Sequence, residues 1–171
     1  MRPIECDEIK SEALLALCQW YRDASLGIEW PPTKAFKIYS LPSIVMPHIA
    51  RVDVTPSPFR VYYRAVGQYL CDARGMDFSR KYLDELPIPQ KSDLAGWYQM
   101  ALTMTEPNFY AADQKVAGQS FYYEVGCLPL GSPEDRPRAF IIAEAAQDVE
   151  AWSFAVRNRE YGSRPPSRDV A

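Results

Sequence analysis

Hydrophobic residues near the start of the chain recur every three or four positions, which is the spacing of an amphipathic helix. The stripe runs from Asp7 to Leu26, with Asp7 as a candidate N-cap and Gly27 as a candidate end. Such a helix buries one face, either against its own domain or against the same helix of a second copy. A second helical stripe begins at Ser92 and ends before Pro107. The sequence therefore predicts a long N-terminal helix and another helix in the middle of the chain.

Alternating hydrophobic and polar residues predict strands in two parts of the chain. Residues 48–54 and 59–66 are joined by a proline-rich turn, and residues 119–130 and 138–146 are joined by a polar connection. Between these hairpins the pattern of 67–86 favours short helices, and that of 108–118 favours a loop or a weak edge strand. Two hairpins separated by helices indicate an α+β domain, in which an antiparallel sheet carries its helices on one face.

The length of 171 residues fits a single domain. We expect a core domain at 31–147, preceded at 1–30 by the N-terminal helix, which serves as a cap or as a dimerisation element. A C-terminal helix and a mobile basic tail are expected at 148–171. We expect no kinase, cyclase or DNA-binding domain to be attached, so that any output passes through a partner protein.

Charge and cysteine content narrow the setting in which the protein works. The 19 basic and 22 acidic residues leave a net charge of -3, so the chain has no excess of positive charge with which to bind the phosphate backbone of a nucleic acid. The acidic N-terminus is unlike a signal peptide, and no run approaches the ~20 apolar residues of a membrane span. Cys6, Cys18, Cys71 and Cys127 form no CxxC pair, so we interpret them as free thiols. These features predict a cytoplasmic protein that contacts neither nucleic acid nor membrane.

Four stretches of the sequence resemble a known family. They are 41–54 (LPSIVMPHIARVDV), 59–67 (FRVYYRAVG), 75–86 (GMDFSRKYLDEL) and 123–130 (YEVGCLPL), with Trp20, Tyr21 and Arg22 upstream. Together they are similar to the single-domain PAS proteins of alphaproteobacteria, over most of residues 14–147. The resemblance implies a PAS-like five-stranded antiparallel sheet whose first and last strands lie at its centre. It also implies a sensory or regulatory role in bacterial signal transduction, without naming a ligand.

The resemblance also bears on cofactors. Haem-binding PAS domains hold iron through a histidine on the long helix, and residues 92–105 contain no histidine. Flavin-binding photosensor PAS domains carry a reactive cysteine in a Gly-x-Asn-Cys-Arg-Phe-Leu-Gln run, which the surroundings of Cys71 do not match. We therefore expect no cofactor. His48 is the single histidine, and one imidazole does not specify a metal site or a catalytic base.

Aromatic residues are the first candidates for a ligand site. A pocket between the sheet and the helices would have aromatic walls with hydroxyl groups, formed by Tyr63, Trp97, Tyr98, Tyr110, Tyr122 and Tyr123. The alternative is that these side chains fill the core and contact no ligand. Tyr63, Trp97, Tyr110 and Tyr123 are the predicted ligand-binding members of this group.

Two arginines are the second candidates. Arg60 and Arg64 share one face of the strand at 59–66, and Glu124 lies on a possible neighbouring strand. One interpretation is a cross-strand ion pair with Glu124, and the other is an anion-binding site made by the two arginines. We include both arginines in the predicted ligand site.

Three hypotheses follow for the function. The first is a non-enzymatic PAS-type module that forms a homodimer through the N-terminal helix and signals through a partner protein, with a possible small-molecule ligand. The second is a small-molecule-binding protein or enzyme with a cone-shaped α+β fold, in which the N-terminal helix closes a curved sheet around a pocket. The third is an interaction domain without a ligand. No GxGxxG, P-loop or paired carboxylates indicate catalysis.

Overall fold

The computed structural model describes residues 1–33, 36–88, 91–116, 118–132, 135–148, 150–152 and 154–155. The strands are β1 (Arg2–Ile4), β2 (Ile49–Pro56), β3 (Phe59–Val66), β4 (Lys81–Tyr82), β5 (Asn108–Val116), β6 (Gln119–Ser132) and β7 (Asp135–Ala146). The α-helices with assigned bounds are α1 (Glu12–Ala24), α2 (Gln68–Arg74) and α3 (Lys91–Ala101). Short 3-10 turns occur at Cys6–Glu8, Ile38–Ser40, Met46–His48 and Leu83–Glu85.

The strands form one antiparallel sheet in the order β1-β5-β6-β7-β2-β3-β4. The first and last strands of the predicted sheet, β2 and β7, pair at its centre, from Ile49 opposite Ala143 to Asp53 opposite Ala139. This is the order that the PAS resemblance implies, and the predicted α+β class is confirmed. The sheet has seven strands rather than five because the short β1 and β4 extend its two edges.

The strand β5 is stronger than its sequence predicts. The expected loop or weak edge strand is a nine-residue strand that pairs with β6 from Asn108 opposite Cys127 to Val116 opposite Gln119. Its other side is covered by β1, which pairs Arg2 with Ala111. Pairing on both sides therefore overrides the weak strand propensity of this polar segment.

Side chains that alternate along the central strands fill two separate cores. On β7, Phe140 and Ile142 point to the face covered by α2 and α3, whereas Ile141 and Ala143 point to the face covered by α1. The N-terminal helix thus packs on its own sheet, opposite the other helices. This resolves the choice that the sequence left open for its buried face, which includes Leu17.

The helix α1 begins later than its hydrophobic stripe suggests. Asp7 belongs to a 3-10 turn, and the N-cap is Ser11, whose Oγ accepts a hydrogen bond from the backbone N–H of Leu14 at 3.4 Å. The buried carboxylate of Glu124 accepts hydrogen bonds from the backbone N–H groups of Lys10 and Ser11, each at 2.8 Å. The start of α1 is therefore fixed by a side chain from β6.

The expectation of four free thiols is wrong for the N-terminal pair. Cys6 and Cys18 form a disulfide with their Cα atoms 6.4 Å apart, because the segment before α1 folds back along the helix. Cys71 and Cys127 are free and buried. The disulfide ties the 3-10 turn at the start of the chain to the middle of α1.

The remaining helices agree only in part with the sequence pattern. The helix α3 starts one residue before Ser92 and ends at Ala101, earlier than expected. The C-terminal helix is present at 150–152 and 154–155, where Trp152 is buried against Phe121 and Tyr123. Its continuation and the predicted tail lie outside the described residues. Within the described part of the chain, no helix is long and apolar enough to cross a membrane.

Candidate functional site

A cavity of about 270 Å³ lies between the sheet and the helices α2 and α3. It is on the opposite face of the sheet from α1. Apolar side chains make most of its wall, namely Met1, Ala50, Leu70, Met76, Phe78, Leu86, Ile88, Leu94, Val125 and Ile142. Apolar walls around a small number of polar groups are typical of small-molecule sites.

Most of the predicted aromatic residues line this cavity. Tyr63 on β3, Trp97 on α3, Tyr110 on β5 and Tyr123 on β6 contribute to its wall. The three tyrosines meet because their strands present alternate residues to the same face of the sheet, and α3 brings Trp97 to that face. The structure thus brings together the aromatic part of the predicted site, while their binding of a ligand stays a prediction.

An ion pair forms the charged part of the wall. Arg74 is the last residue of α2, and its Nη2 donates hydrogen bonds to both carboxylate oxygens of Glu144, at 2.9 and 3.0 Å. The hydroxyl of Tyr123 also donates to this carboxylate. The Glu144 side chain is only 14% exposed, whereas that of Arg74 is 45% exposed. Glu144 raises the pKa of Arg74, so the guanidinium is always charged.

A pair of tyrosines forms a second polar point on the wall. The hydroxyls of Tyr63 and Tyr98 are 3.2 Å apart and share one hydrogen bond. Both side chains are buried, and this burial raises the pKa of each phenol, so both hydroxyls keep their protons. Each hydroxyl has one proton to donate, so a single shared hydrogen bond leaves one O–H of the pair free to donate.

The end of β7 that carries Glu144 is held in place by two further side chains. The Nδ1 atom of His48 lies 3.1 Å from the backbone oxygen of Glu144, and Tyr69 accepts a hydrogen bond from the backbone N–H of Ala146 at 3.1 Å. The His48 and Tyr69 rings are in contact, with centroids 4.4 Å apart. His48 is therefore a structural residue beside the cavity rather than part of its wall.

The structure does not bring Arg60 and Arg64 together with the aromatic residues of the predicted site, and their binding of a ligand stays a prediction. Neither side chain lines the cavity, because both point to the other face of β3. Arg60 binds the carboxylate of Asp84 at 3.0 Å and stacks on Tyr82, and Arg64 binds Asp53 on β2. Arg60 and Arg64 therefore contact different carboxylates, and Asp53 also pairs with Arg51 at 2.8 Å.

Glu124 and Tyr122 also lie away from the predicted site. The neighbours of β3 are β2 and β4, so Glu124 on β6 is not a cross-strand partner of the two arginines. Its carboxylate is instead buried at the start of α1. Tyr122 points to the same side, where the amine of Lys10 lies 4.3 Å from its ring centroid.

The described residues contain no cluster of three or more side chains that is arranged to hold a metal ion. The two free thiols are not activated either. Burial raises the pKa of Cys71 above its ordinary value, and it also raises the pKa of Cys127. Both groups therefore stay as thiols at neutral pH, and a thiol is a much weaker nucleophile than a thiolate.

Sequence reasoning missed the ion pair between Arg74 and Glu144. Glu144 is the single charged residue in an otherwise apolar stretch of β7, Ala139–Ala146. A charge inside a strand that is buried on both faces calls for a partner. That signal was available, but the identity of the partner was not, because Arg74 is 70 residues away.

No family model matches this chain, and neither does any curated protein. A search of solved structures finds the PAS domain of BvgS from Bordetella pertussis, with a TM-score of 0.40 and 16% sequence identity. The matched region covers 68% of this chain and 86% of that domain.

Proposed function

We propose that this protein is a non-enzymatic, PAS-type sensory module that binds a small molecule in the cavity between its sheet and the helices α2 and α3. The observation that carries the proposal is the cavity itself, with its apolar wall and its two polar points, the Arg74–Glu144 pair and the Tyr63–Tyr98 pair. The strand order with β2 and β7 at the centre supports the PAS type. Binding would bias the arrangement of α2 and α3, which transmit the signal.

The cone-shaped alternative is less well supported. It requires the N-terminal helix to close the curved sheet over the pocket. The helix α1 instead packs on the opposite face, among Leu128, Ile141 and Ala143, and takes no part in the cavity wall. A site of that type would also need converging catalytic groups. We therefore favour a regulatory role over an enzymatic one.

Native mass spectrometry of freshly purified protein, before and after denaturation, tests whether the cavity is a ligand site. We expect a small molecule that leaves the native protein on denaturation. Ile142→Phe adds bulk to the cavity wall and is expected to abolish the adduct, whereas Ile44→Phe, at an exposed position outside the cavity, is expected to retain it. An adduct that survives Ile142→Phe in the folded protein would locate the ligand elsewhere.

We also propose that the module works as a homodimer that signals through a partner protein. The inner face of α1 is occupied by its own sheet, so a dimer through this helix uses its outer side. Leu15 is 48% exposed there, and Leu26, just beyond the helix, is 80% exposed. We place the dimer interface at these two exposed apolar side chains. Light scattering measures the mass, and we expect the parent protein to have twice the chain mass of 19.5 kDa. The double variant Leu15→Glu, Leu26→Glu is expected to be a monomer. The control variant Tyr39→Glu is expected to stay a dimer. A monomeric parent protein would contradict this arrangement.

A further inference from the structure

We propose that the ligand is a small apolar carboxylic acid, bound as its carboxylate by the remaining N–H donors of Arg74 and the free hydroxyl of the Tyr63–Tyr98 pair. This inference rests on the proposed ligand-binding function and names the chemical class of the ligand. The apolar remainder of the molecule packs against the aromatic and aliphatic wall of the cavity.

Arg74 has unused hydrogen-bonding capacity. A guanidinium has five N–H donors in a planar fork. Within the described part of the chain, only Nη2 of Arg74 donates, and both of its hydrogen bonds go to Glu144. The remaining N–H donors belong to a side chain that lines the cavity and is 45% exposed. These donors, on Nε and Nη1, are available for charge-assisted hydrogen bonds to a carboxylate.

The Tyr63–Tyr98 pair also has an unused hydrogen-bond donor. One O–H of Tyr63 or Tyr98 has no acceptor within the pair, and both side chains are at least nine-tenths buried and line the cavity. A buried donor without an acceptor is costly, so the site calls for an acceptor from the ligand. Arg74, Tyr63 and Tyr98 line the same cavity, so their unused donors are offered to one ligand.

The charged side chains of the cavity wall offer a ligand more donors than acceptors. Arg74 and Glu144 carry the formal charges among the lining side chains, and they sum to zero. Both oxygens of Glu144 already accept from Arg74, and one also accepts from Tyr123. Glu144 is thus occupied, whereas Arg74 and the tyrosine pair still offer donors. An acceptor on the ligand is therefore favoured over a donor.

The size of the cavity limits the apolar part of the ligand. An engineered apolar cavity of about 150 Å³ in another protein holds benzene. The 270 Å³ found here accommodates one ring with a short side chain, or an aliphatic chain of similar volume. Compounds such as 3-phenylpropionate and octanoate fit this description.

A matched series of head groups on one body separates the role of the carboxylate from that of the apolar part. Isothermal titration calorimetry is performed with 3-phenylpropionate, 3-phenylpropionamide and 3-phenylpropan-1-ol, and octanoate provides a second carboxylate. We expect the carboxylates to bind about 10- to 100-fold more tightly than the amide or the alcohol, which is the worth of a charge-assisted hydrogen bond. Equal affinities across the series would overturn the proposed ligand class while leaving the cavity as a ligand site.

Substitutions at the ion pair have opposite expected effects. Arg74→Gln is expected to weaken carboxylate binding about 10- to 100-fold and to leave alcohol binding nearly unchanged. Glu144→Gln removes the competing carboxylate and is expected to strengthen carboxylate binding several-fold, which a merely destabilising change would not do. Tyr63→Phe is expected to weaken binding about 3- to 10-fold. Loss of affinity in Glu144→Gln, with the fold intact by circular dichroism, contradicts the assignment of Arg74.

Ligand class and ligand binding itself are separated by the same measurements. If only the neutral probes bind, or if the co-purified molecule is neutral, the carboxylic acid is rejected as the ligand class, while the cavity remains a ligand site. If no probe binds and native mass spectrometry detects no adduct, both proposals fall.

Discussion

Three buried polar side chains bind backbone atoms that are distant in sequence. Glu124 binds the backbone before α1, Tyr21 donates to the carbonyl oxygen of Pro129 at 2.7 Å, and His48 lies 3.1 Å from that of Glu144. A buried polar group that loses its partner costs about 1–3 kcal/mol. Each contact therefore fixes one position of one segment against another.

The carboxylate of Glu124 offers the sharpest test of this role. Glu124→Ala leaves two backbone N–H groups near the start of α1 without an acceptor, and we expect the free energy of unfolding to fall by about 2–5 kcal/mol. Glu124→Gln keeps one acceptor oxygen and should lose less. Urea denaturation measures both, with Asp113→Ala, at an exposed carboxylate on β5, as the control that changes stability by less than about 0.5 kcal/mol. Equal losses for Glu124→Ala and Asp113→Ala would contradict the role of this carboxylate.

His48 gives the stability a dependence on pH. Burial lowers its pKa below the ordinary value of 6.5, so the unfolded chain takes up a proton on acidification before the folded protein does. Stability from this group is therefore present above pH 6.5 and is lost as the pH falls below it, by at most about 1.4 kcal/mol per pH unit.

His48→Asn isolates this effect because the asparagine N–H₂ can still donate to the backbone oxygen of Glu144. We expect the parent protein to lose more stability between pH 7.5 and pH 5.5 than His48→Asn does, with the carboxylates contributing equally to both. Thermal denaturation at the two pH values measures the difference. If the parent protein and His48→Asn lost the same amount of stability between the two pH values, His48 would have the same pKa in the folded and the unfolded protein.

Among the helices and strands, the sequence correctly predicted those that depend only on the local periodicity of hydrophobic residues. The strands at 49–56 and 59–66 agree with the predicted hairpin because their alternation matches a half-buried sheet. The partner of Arg60 or Arg64 was not predictable in the same way, since it depends on which strand lies beside β3. The start of α1 was missed because it is set by Glu124, 113 residues from Ser11.

The same distinction applies to the candidate site. Its aromatic wall was predicted from composition and from the faces of the expected strands. The Arg74–Glu144 pair was not, because the end of α2 meets β7 only in the folded chain. Long-range contacts thus decide the charged part of the site, whereas local periodicity indicates its apolar part.

Two glycines in helical contexts are expected to respond oppositely to alanine. A Cβ at Gly67, just before α2, would overlap the backbone oxygens of Met46 and Pro47, so Gly67→Ala should destabilise by about 1–3 kcal/mol. Gly96 is exposed inside α3 with open space around it, so Gly96→Ala should stabilise by up to about 1 kcal/mol. Denaturant midpoints compare the two. A stabilising Gly67→Ala would mean that the turn before α2 is free to move.

Across the molecule, the two cores share the same central strands. Phe140 and Ile142 belong to the core under α2 and α3, and Ile141 and Ala143 belong to the core under α1. The side chains of β6 alternate in the same way, with Cys127 on one face and Leu128 on the other. Neither core is complete without these strands, so the helices on the two faces depend on one another.

We therefore expect the protein to unfold in a single cooperative transition. Loss of α1 exposes one face of β6 and β7, and a sheet that has lost one core is not expected to hold the other. Hydrogen exchange measured by mass spectrometry should give the same opening free energy for the slowest amides of α1 and of β7. Glu124→Ala, which acts only on the α1 side, should lower the protection of β7 by as much as it lowers that of α1. If β7 kept its protection while α1 lost it, α1 would be a separately opening cap, and a signal generated at the cavity would not reach it through the sheet.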